Sequence, residues 1–140
     1  MTSIEALIMQ DAKGDQIQFE IPGEPVAQMR PRVAYALRKV YNPQRKSILK
    51  LRTKLREALD KVGKDNPYPF FAAGKKITLA ITFNVTQQSK DIDNMLKYYM
   101  DVMHQVVYAN DVQVFNVSMR KRVNASNVGT KIDIIYRYGS

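Results

Sequence analysis

The sequence contains no cysteine and a single histidine, His104. Without cysteine the chain cannot build a disulfide scaffold, a thiol nucleophile, a zinc–thiolate site or an iron–sulfur cluster. One histidine likewise excludes a metal centre made of several imidazole ligands. No run of residues approaches the ~18 consecutive apolar residues of a membrane span. Residues 1–15 are acidic and lack the basic segment and long apolar stretch of a signal peptide, so we expect a soluble cytoplasmic protein.

The length and composition are those of one globular domain. The chain has 140 residues, of which 45% are hydrophobic and 25% are charged, and these proportions are typical of a folded protein. No repeat, low-complexity tract or linker divides the chain. The sequence therefore predicts one domain over residues 1–140, with residues 1–15 as a peripheral or flexible start.

Positive charge dominates and is concentrated in the second quarter of the chain. The 22 Lys and Arg outnumber the 13 Asp and Glu, which gives a net charge of +9. Residues 28–64 alone carry twelve Lys and Arg against two acids, a net +10. This pattern favours contact with nucleic-acid phosphates, although a basic helix face exposed to water has the same appearance. The residues that we expect to bind DNA are Arg30, Arg32, Arg45, Lys46, Lys50, Arg52, Lys54 and Arg56.

Hydrophobic periodicity predicts an α/β (α+β) domain. Apolar residues spaced by two indicate strands, and those spaced by three and four over Pro43–Val62 indicate an amphipathic helix with a basic outer face. The predicted order β-β-α-β-α-β-β consists of strands Gln16–Ile21, Val33–Tyr41, Lys76–Val85, Gln113–Arg122 and Lys131–Tyr138 and helices Pro43–Val62 and Asp91–Tyr108. We expect a mixed β-sheet with these two helices packed on it.

Three aspartates form the most informative pattern in the chain. Asp91 and Asp93 lie where a strand gives way to a helix, and residues two apart in an extended segment project to the same side. Asp111 follows the helix, and a turn there can return its carboxylate to the first pair. Converging carboxylates repel one another unless a cation lies between them, and their oxygen atoms suit Mg²⁺ or Mn²⁺. Such a metal can activate water and neutralise charge on a phosphodiester.

Lys97 lies four residues after Asp93, on the same face of the predicted helix. From there its ammonium group can stabilise negative charge that develops on a phosphate. Each of these residues also has a purely structural interpretation. Asp93 or Asn94 can cap the helix, Asp111 can be a turn residue, and Lys97 can be a surface lysine.

These residues belong to longer motifs. Ile21-Pro22-Gly23-Glu24-Pro25 is followed by Arg30-Pro31-Arg32, the segment Asp91-Ile92-Asp93-Asn94-Met95-Leu96-Lys97 has the form D-x-D-N-x-x-K, and Asp101 and Val107-Tyr108-Ala109-Asn110-Asp111-Val112-Gln113-Val114 lie downstream. In this order and spacing, from about Phe19 to Tyr138, they resemble the RusA family of Holliday junction resolvases. These are small endodeoxyribonucleases that are often carried by phages and prophages.

The resemblance implies a RusA-like fold and a dimeric, Mg²⁺-dependent endodeoxyribonuclease, with Mn²⁺ as a possible substitute. Such an enzyme nicks four-way DNA junctions symmetrically in DNA recombination and repair. By match to the family motif, Asp91, Asp93 and Asp111 are the catalytic, metal-binding acids and Lys97 is the catalytic lysine. Asn110 stands where the family commonly has the first Asp of a pair, so its carbonyl oxygen can bind a metal but brings no charge.

Two other classes of function compete with this interpretation. A non-catalytic DNA- or RNA-binding protein on the same fold needs the basic face but not the three acids and Lys97. A P-loop NTPase is excluded, because before Gly74-Lys75 the chain has Pro69 where the motif needs glycine, and Lys76 follows where it needs Ser or Thr. We therefore expect branched DNA as the partner, no nucleotide cofactor and no membrane partner. We also expect a homodimer, the simplest way to place two cutting sites on a two-fold symmetric junction.

Overall fold

The computed structural model describes residues 3–29, 32–34, 39–41, 43–63, 67–124 and 126–139. The elements, in chain order, are strands β1 (Glu5–Gln10), β2 (Gly14–Pro22), β3 (Arg32–Ala34) and β4 (Lys39–Tyr41), helix α1 (Arg45–Val62), strand β5 (Ile77–Val85), helix α2 (Ile92–Met103), a 3-10 helix (Asp111–Gln113), and strands β6 (Val114–Val123) and β7 (Gly129–Arg137). No helix in this part of the chain is long and apolar enough to span a membrane.

Five strands form a mixed sheet in the order β1-β2-β7-β5-β6, and β3 and β4 form a separate two-stranded sheet. Neighbours in the larger sheet are antiparallel except for β5 and β6, which are parallel. A parallel pair needs a crossover connection, and α2 provides it. The chain therefore leaves β5 at one end of the sheet, enters α2 there, and returns to the opposite end before β6 begins.

Alternating side chains of the central strands form the core beneath the helices. Leu79, Ile81 and Phe83 of β5 are at most 2% exposed. The buried cluster also includes Ile17 and Phe19 of β2, Ile132 and Ile134 of β7, Leu55 and Leu59 of α1, and Met95, Tyr98, Tyr99, Val102 and Met103 of α2. Full burial of such a side chain contributes about 1.5–3 kcal/mol. The core therefore fixes α2, and with it both ends of the crossover.

The predicted fold class is confirmed, and the differences concern individual elements. β1 lies within residues 1–15, for which the sequence predicts no strand, and it pairs along its whole length with β2. The single predicted strand over Val33–Tyr41 is wrong, because β3 and β4 are two short antiparallel strands paired with each other. Alternation of apolar residues does not reveal where a chain reverses direction, and residues 35–38 lie outside the described part of the chain.

The second helix ends at Met103, five residues before the predicted Tyr108. Gln105 has a left-handed backbone with φ of 68°, a conformation that an α-helix of L-residues excludes. The segment after the helix is nevertheless buried, and the backbone N–H of Phe71 donates to the carbonyl of Val107 at 2.8 Å. Apolar spacing therefore continues beyond the helix into a buried turn, which explains why the prediction is too long.

Candidate functional site

Asp91 and Asp93 lie together at the N-terminus of α2. Asp91 is the N-cap, and its Oδ1 accepts a hydrogen bond from the backbone N–H of Asp93 at 2.9 Å. The cap is therefore Asp91, not Asp93 or Asn94, and Asp93 keeps both carboxylate oxygens for other partners. Both side chains are exposed, and the positive end of the helix dipole stabilises their charge. One free oxygen on Asp91 and two on Asp93 make this helix end a source of hard, anionic ligands.

The segment that precedes Asp91 is held by two lysines. Lys121 of β6 donates from Nζ to the carbonyls of Gln88 and Lys90, at 2.7 and 2.8 Å. Lys90 in turn donates to the carbonyl of Pro25 at 2.5 Å. Sequence reasoning missed Lys121, because a lysine in a strand carries no signal that it binds a distant loop. These contacts fix the approach to α2 and place Asp91 beside the C-terminal end of β6.

Glu24 ties the same segment to the N-terminal part of the chain. Its carboxylate accepts hydrogen bonds from the backbone N–H and the hydroxyl of Thr86 and lies 3.6 Å from Nζ of Lys90. The hydrogen bond from the Thr86 hydroxyl is the main cause that lowers the pKa of the Glu24 carboxyl. Glu24 therefore stays ionised near neutral pH and acts as an anchor for the connection between β5 and α2.

Lys97 follows Asp93 by one turn of α2 and is exposed. In the described part of the chain no carboxylate lies within ion-pair distance of Lys97. The interpretation of Lys97 and Asp93 as a simple helix ion pair therefore finds no support. Asp101, a further turn along, lies on the same side of the helix as Lys97 because residues four apart are neighbours on a helix surface.

Asp111 lies at the other end of the crossover, in the first position of the 3-10 helix. Asn110 caps this helix, since its Oδ1 accepts from the N–H of Val112 at 3.1 Å. The side-chain carbonyl of Asn110 is therefore already engaged by the backbone. The carboxylate of Asp111 is exposed and is the free anionic group of this turn.

Gln113 holds the turn of Asp111 against the body of the protein. It is 4% exposed, and its Oε1 accepts from the N–H groups of Ala109 and Asn110 at 2.8 and 3.0 Å. Its Nε2 lies 2.9–3.3 Å from three carbonyl oxygens in residues 71–75. The sequence offers only a polar residue beside a strand as a signal, so this role was not predicted.

Asp101 is the acid that Asp111 meets. Partial burial, and then the negative charge of Asp111, raise the pKa of the Asp101 carboxyl. Burial, and then the charge of Asp111, also raise the pKa of the Tyr108 hydroxyl. Gln28 donates to Oδ2 of Asp101 at 2.6 Å. The C-terminal end of α2 and the turn of Asp111 therefore form a second acidic location.

The two acidic locations are separated by the length of α2. The helix has 12 residues, which at 1.5 Å per residue is about 18 Å. Among the described residues no three Asp, Glu or His side chains are placed to hold one metal ion. The chain brings Asp91 and Asp93 together, but the expected return of Asp111 to this pair does not occur within the described part of one chain. The direction of the crossover is the physical reason, because it delivers Asp111 to the opposite end of the sheet.

The basic residues of α1 fall into two groups. Exposed cations follow the outer face of the helix at Arg45, Lys46, Lys50, Lys54 and Arg56. Arg52 is different, because its Nη2 donates to the carbonyl of Asp101 at 2.6 Å and its Nε to that of Val102 at 3.3 Å. Arg52 therefore binds the last carbonyls of α2, where a cation also complements the helix dipole.

Arg30 lies outside the described residues. Arg32 is the first residue of β3, and the position of its side chain is outside the description as well. The DNA-binding roles of both arginines stay predictions.

Comparison with known proteins agrees with the sequence motifs. The family model for the endodeoxyribonuclease RusA matches residues 22–135. No curated protein matches the chain. The matched range covers both acidic locations, Lys97 and the whole of α1, and it includes strands β5 and β6. The family acts on branched DNA and resolves Holliday junctions. The chain belongs to the RusA family of endodeoxyribonucleases.

Proposed function

We propose that this protein is a Mg²⁺-dependent, homodimeric endonuclease that resolves four-way DNA junctions by paired, symmetric cuts. The observation that carries the proposal is the arrangement along α2, in which two exposed carboxylates stand at the helix start with Lys97 one turn away. A basic helix packed against α2 supplies the phosphate contacts that a DNA substrate needs.

The donor set at the start of α2 fits a divalent cation. Mg²⁺ in proteins usually binds one or two carboxylates and keeps several water ligands. Asp91 and Asp93 offer such oxygens side by side, and without a cation their charges would repel each other. When bound, the metal would neutralise charge on the scissile phosphodiester and lower the pKa of a water molecule.

Lys97 has the position of a transition-state stabiliser in this proposal. Its ammonium lies on the face of α2 that carries Asp93, and no described carboxylate neutralises it. A phosphate bound at the helix start would lie within reach of a long, flexible lysine side chain one turn away. The exposed residues Arg45, Lys46, Lys50, Lys54 and Arg56 would hold the DNA backbone, whereas Arg52 contributes through the position of α2.

Separation of the acids supports a dimer. Asp111 lies about 18 Å from Asp91 and Asp93 by the length of α2, too far for one metal ion to bind all three. If all three acids act on one phosphate, then Asp111 must come from a second copy of the chain. A two-fold symmetric pair of chains would form two such combined sites, as paired cutting of a junction requires.

A mixing experiment tests the proposal. Wild-type protein is expected to nick a labelled four-way junction at two symmetric positions with Mg²⁺ and not without it. Asp93→Asn and Asp111→Asn should each abolish nicking and still bind the junction. When the two variants are mixed, a heterodimer regains one intact combined site, so nicking should return to about a quarter of the wild-type level after random exchange of equal amounts.

Each alternative gives a different result. If all acids of a site came from one chain, every site in the heterodimer would lack one acid and mixing would restore nothing. Junction binding without Mg²⁺-dependent nicking by the wild-type protein would instead identify a non-catalytic DNA-binding protein. Stronger binding to structured RNA than to the junction would overturn the choice of substrate.

A further inference from the structure

Strand β6 is an open edge of the five-stranded sheet. One side of its backbone pairs with β5 from Val114 to Val123. In the described part of the chain no other strand or loop pairs with its outer side. An unpaired strand edge of ten residues presents a row of N–H and C=O groups to which a further strand can add.

The side chains of β6 are as exposed as its edge. All residues from 115 to 120 are exposed, and three of them are large and apolar: Phe115 is 60% exposed, Val117 43% and Met119 38%. Val117 and Met119 pair in register with the buried Leu79 and Ile81 of β5, so they extend the apolar face of the sheet beyond the core. A continuous apolar strip of this kind on a soluble protein marks an interaction surface.

We propose that β6 pairs antiparallel with β6 of a second copy, across a two-fold axis near Ser118, so that the sheet continues through the dimer. This inference rests on the proposed function, which requires a second copy but does not say which surface binds it. Pairing of a strand with itself about a two-fold axis is self-complementary, since each residue meets the same set of partners in both copies.

The two ends of β6 explain why this strand is the one that pairs. Asp111 lies just before the N-terminal end of the strand, and Lys121 near the C-terminal end holds the carbonyl of Lys90, one residue before Asp91. Seven residues from Val114 to Lys121 span about 23 Å, so one chain keeps its acidic locations apart. An antiparallel partner strand lies only about 4.8 Å away and runs in the opposite direction. Asp111 of one copy is then carried to the start of α2 in the other.

The other edge of the sheet, β1, offers no such result. β1 also exposes apolar side chains, with Leu7 49% and Met9 39% exposed. It lies four strand spacings from β6, which is about 19 Å. A dimer formed through β1 would therefore leave every acidic location without a partner. β1 provides a matched control, because it is an edge strand of the same sheet with similar exposed residues.

Sedimentation equilibrium of two double variants tests the inference. Val117→Lys with Met119→Lys places unpaired charges in the proposed interface, and Leu7→Lys with Met9→Lys makes the same change on β1. We expect wild-type protein and the β1 variant to have twice the chain mass of 16.1 kDa at micromolar concentration. The β6 variant should have the mass of one chain, with a dissociation constant raised at least ~100-fold because charge is buried without a partner. Circular dichroism should show both variants folded, since all four side chains are exposed in one chain.

A cross-link tests the same geometry without disturbing the interface. The chain has no native cysteine, so Ser118→Cys introduces a single thiol near the proposed axis. A short bis-maleimide should join two such chains in high yield, whereas Leu7→Cys should give little covalent dimer under the same conditions. This measurement applies even if the lysine variants fail to fold.

The outcomes separate this inference from the proposed function. A wild-type dimer that persists in the β6 lysine variant, or that cross-links through Leu7→Cys and not through Ser118→Cys, overturns the β6 interface and leaves the dimeric nuclease in place. A wild-type protein that remains a monomer both free and on junction DNA overturns the dimer and the interface together. Loss of the dimer in the β6 variant alone, with cross-linking through Ser118→Cys, supports the inference.

Discussion

Replacing Gln113 with alanine should loosen the turn that carries Asp111. The Gln113 amide is buried and satisfies peptide groups from two separate segments, residues 109–110 on one side and residues 71–75 on the other. Alanine can make none of these hydrogen bonds and leaves a cavity the size of the amide. The turn would then keep only its own short 3-10 helix and the Asn110 cap.

The expected loss of stability follows from the number of bonds. Oε1 accepts two, and the two N–H groups of Nε2 can donate two good bonds among the three nearby carbonyls, so about four hydrogen bonds disappear. Each contributes about 0.5–1.5 kcal/mol net. Since Ala109 is only half-buried, some of the freed peptide groups can bind water instead. We therefore expect the free energy of unfolding to fall by about 2–4 kcal/mol, or roughly 10 °C in Tm for a chain of this size.

Urea and thermal denaturation followed by circular dichroism measure this change. Gln87→Ala is the control, since Gln87 is exposed and its loss should change stability by less than about 0.5 kcal/mol. Gln113→Glu is a second comparison, because it keeps two acceptor positions but turns a carboxylate toward the carbonyls and should not restore stability. A Gln113→Ala protein within about 1 kcal/mol of wild type would refute the bond count.

Four further predictions concern the nuclease and its supports. Lys97→Ala should lower the rate of junction cleavage ~10²–10³-fold and leave junction affinity unchanged in a mobility-shift assay; an equal loss of affinity would make Lys97 an ordinary phosphate contact. Lys50→Gln with Lys54→Gln should flatten the salt dependence of binding by about one unit of slope per lost phosphate contact, and an unchanged slope would place the DNA elsewhere. Arg52→Gln should lower the Tm, because the guanidinium binds the last carbonyls of α2, and an unchanged Tm would contradict that role. The folded-state pKa of Asp101 is raised above its usual 3.8, so wild-type stability falls as pH rises through the window above that value; urea titrations across this pH range should find the fall reduced in Asp101→Asn, and an identical pH dependence would contradict it.

Strong periodicity made part of the fold predictable. α1 runs over Arg45–Val62 against a prediction of Pro43–Val62, and β5 over Ile77–Val85 against Lys76–Val85. In both elements one face is buried and the other is not, so the sequence pattern mirrors the core directly. β6 gave a weaker pattern, since its pairing with β5 shifts register between Ile77 and Thr78 and its side chains are mostly exposed. An edge strand outside the core has no burial constraint that would write alternation into its sequence.

The candidate site shows the same division between type and placement. The motif around Asp91, Asp93 and Lys97 was predicted with its local geometry, because a cap and one turn of helix are set by neighbours in sequence. Lys121, Arg52 and Gln113 were not predicted as supports of that site. Each binds backbone carbonyls of a segment that is distant in the chain, and any long polar side chain in a strand or helix has the same appearance in sequence.

The position of Asp111 depends on a property that periodicity cannot express, which is the identity of the neighbouring strand. Had β6 followed α2 as an antiparallel neighbour at the same end of the sheet, Asp111 would lie beside Asp93 and one chain could form the whole acidic set. The parallel pairing of β5 and β6 reverses this outcome, because the crossover must return to the end where β5 began. The same pairing leaves β6 as an edge strand, with Asp111 before one end and Lys121, next to Asp91, near the other. One choice of strand order therefore both separates the acids within a chain and provides the open edge through which a second chain can bring them together.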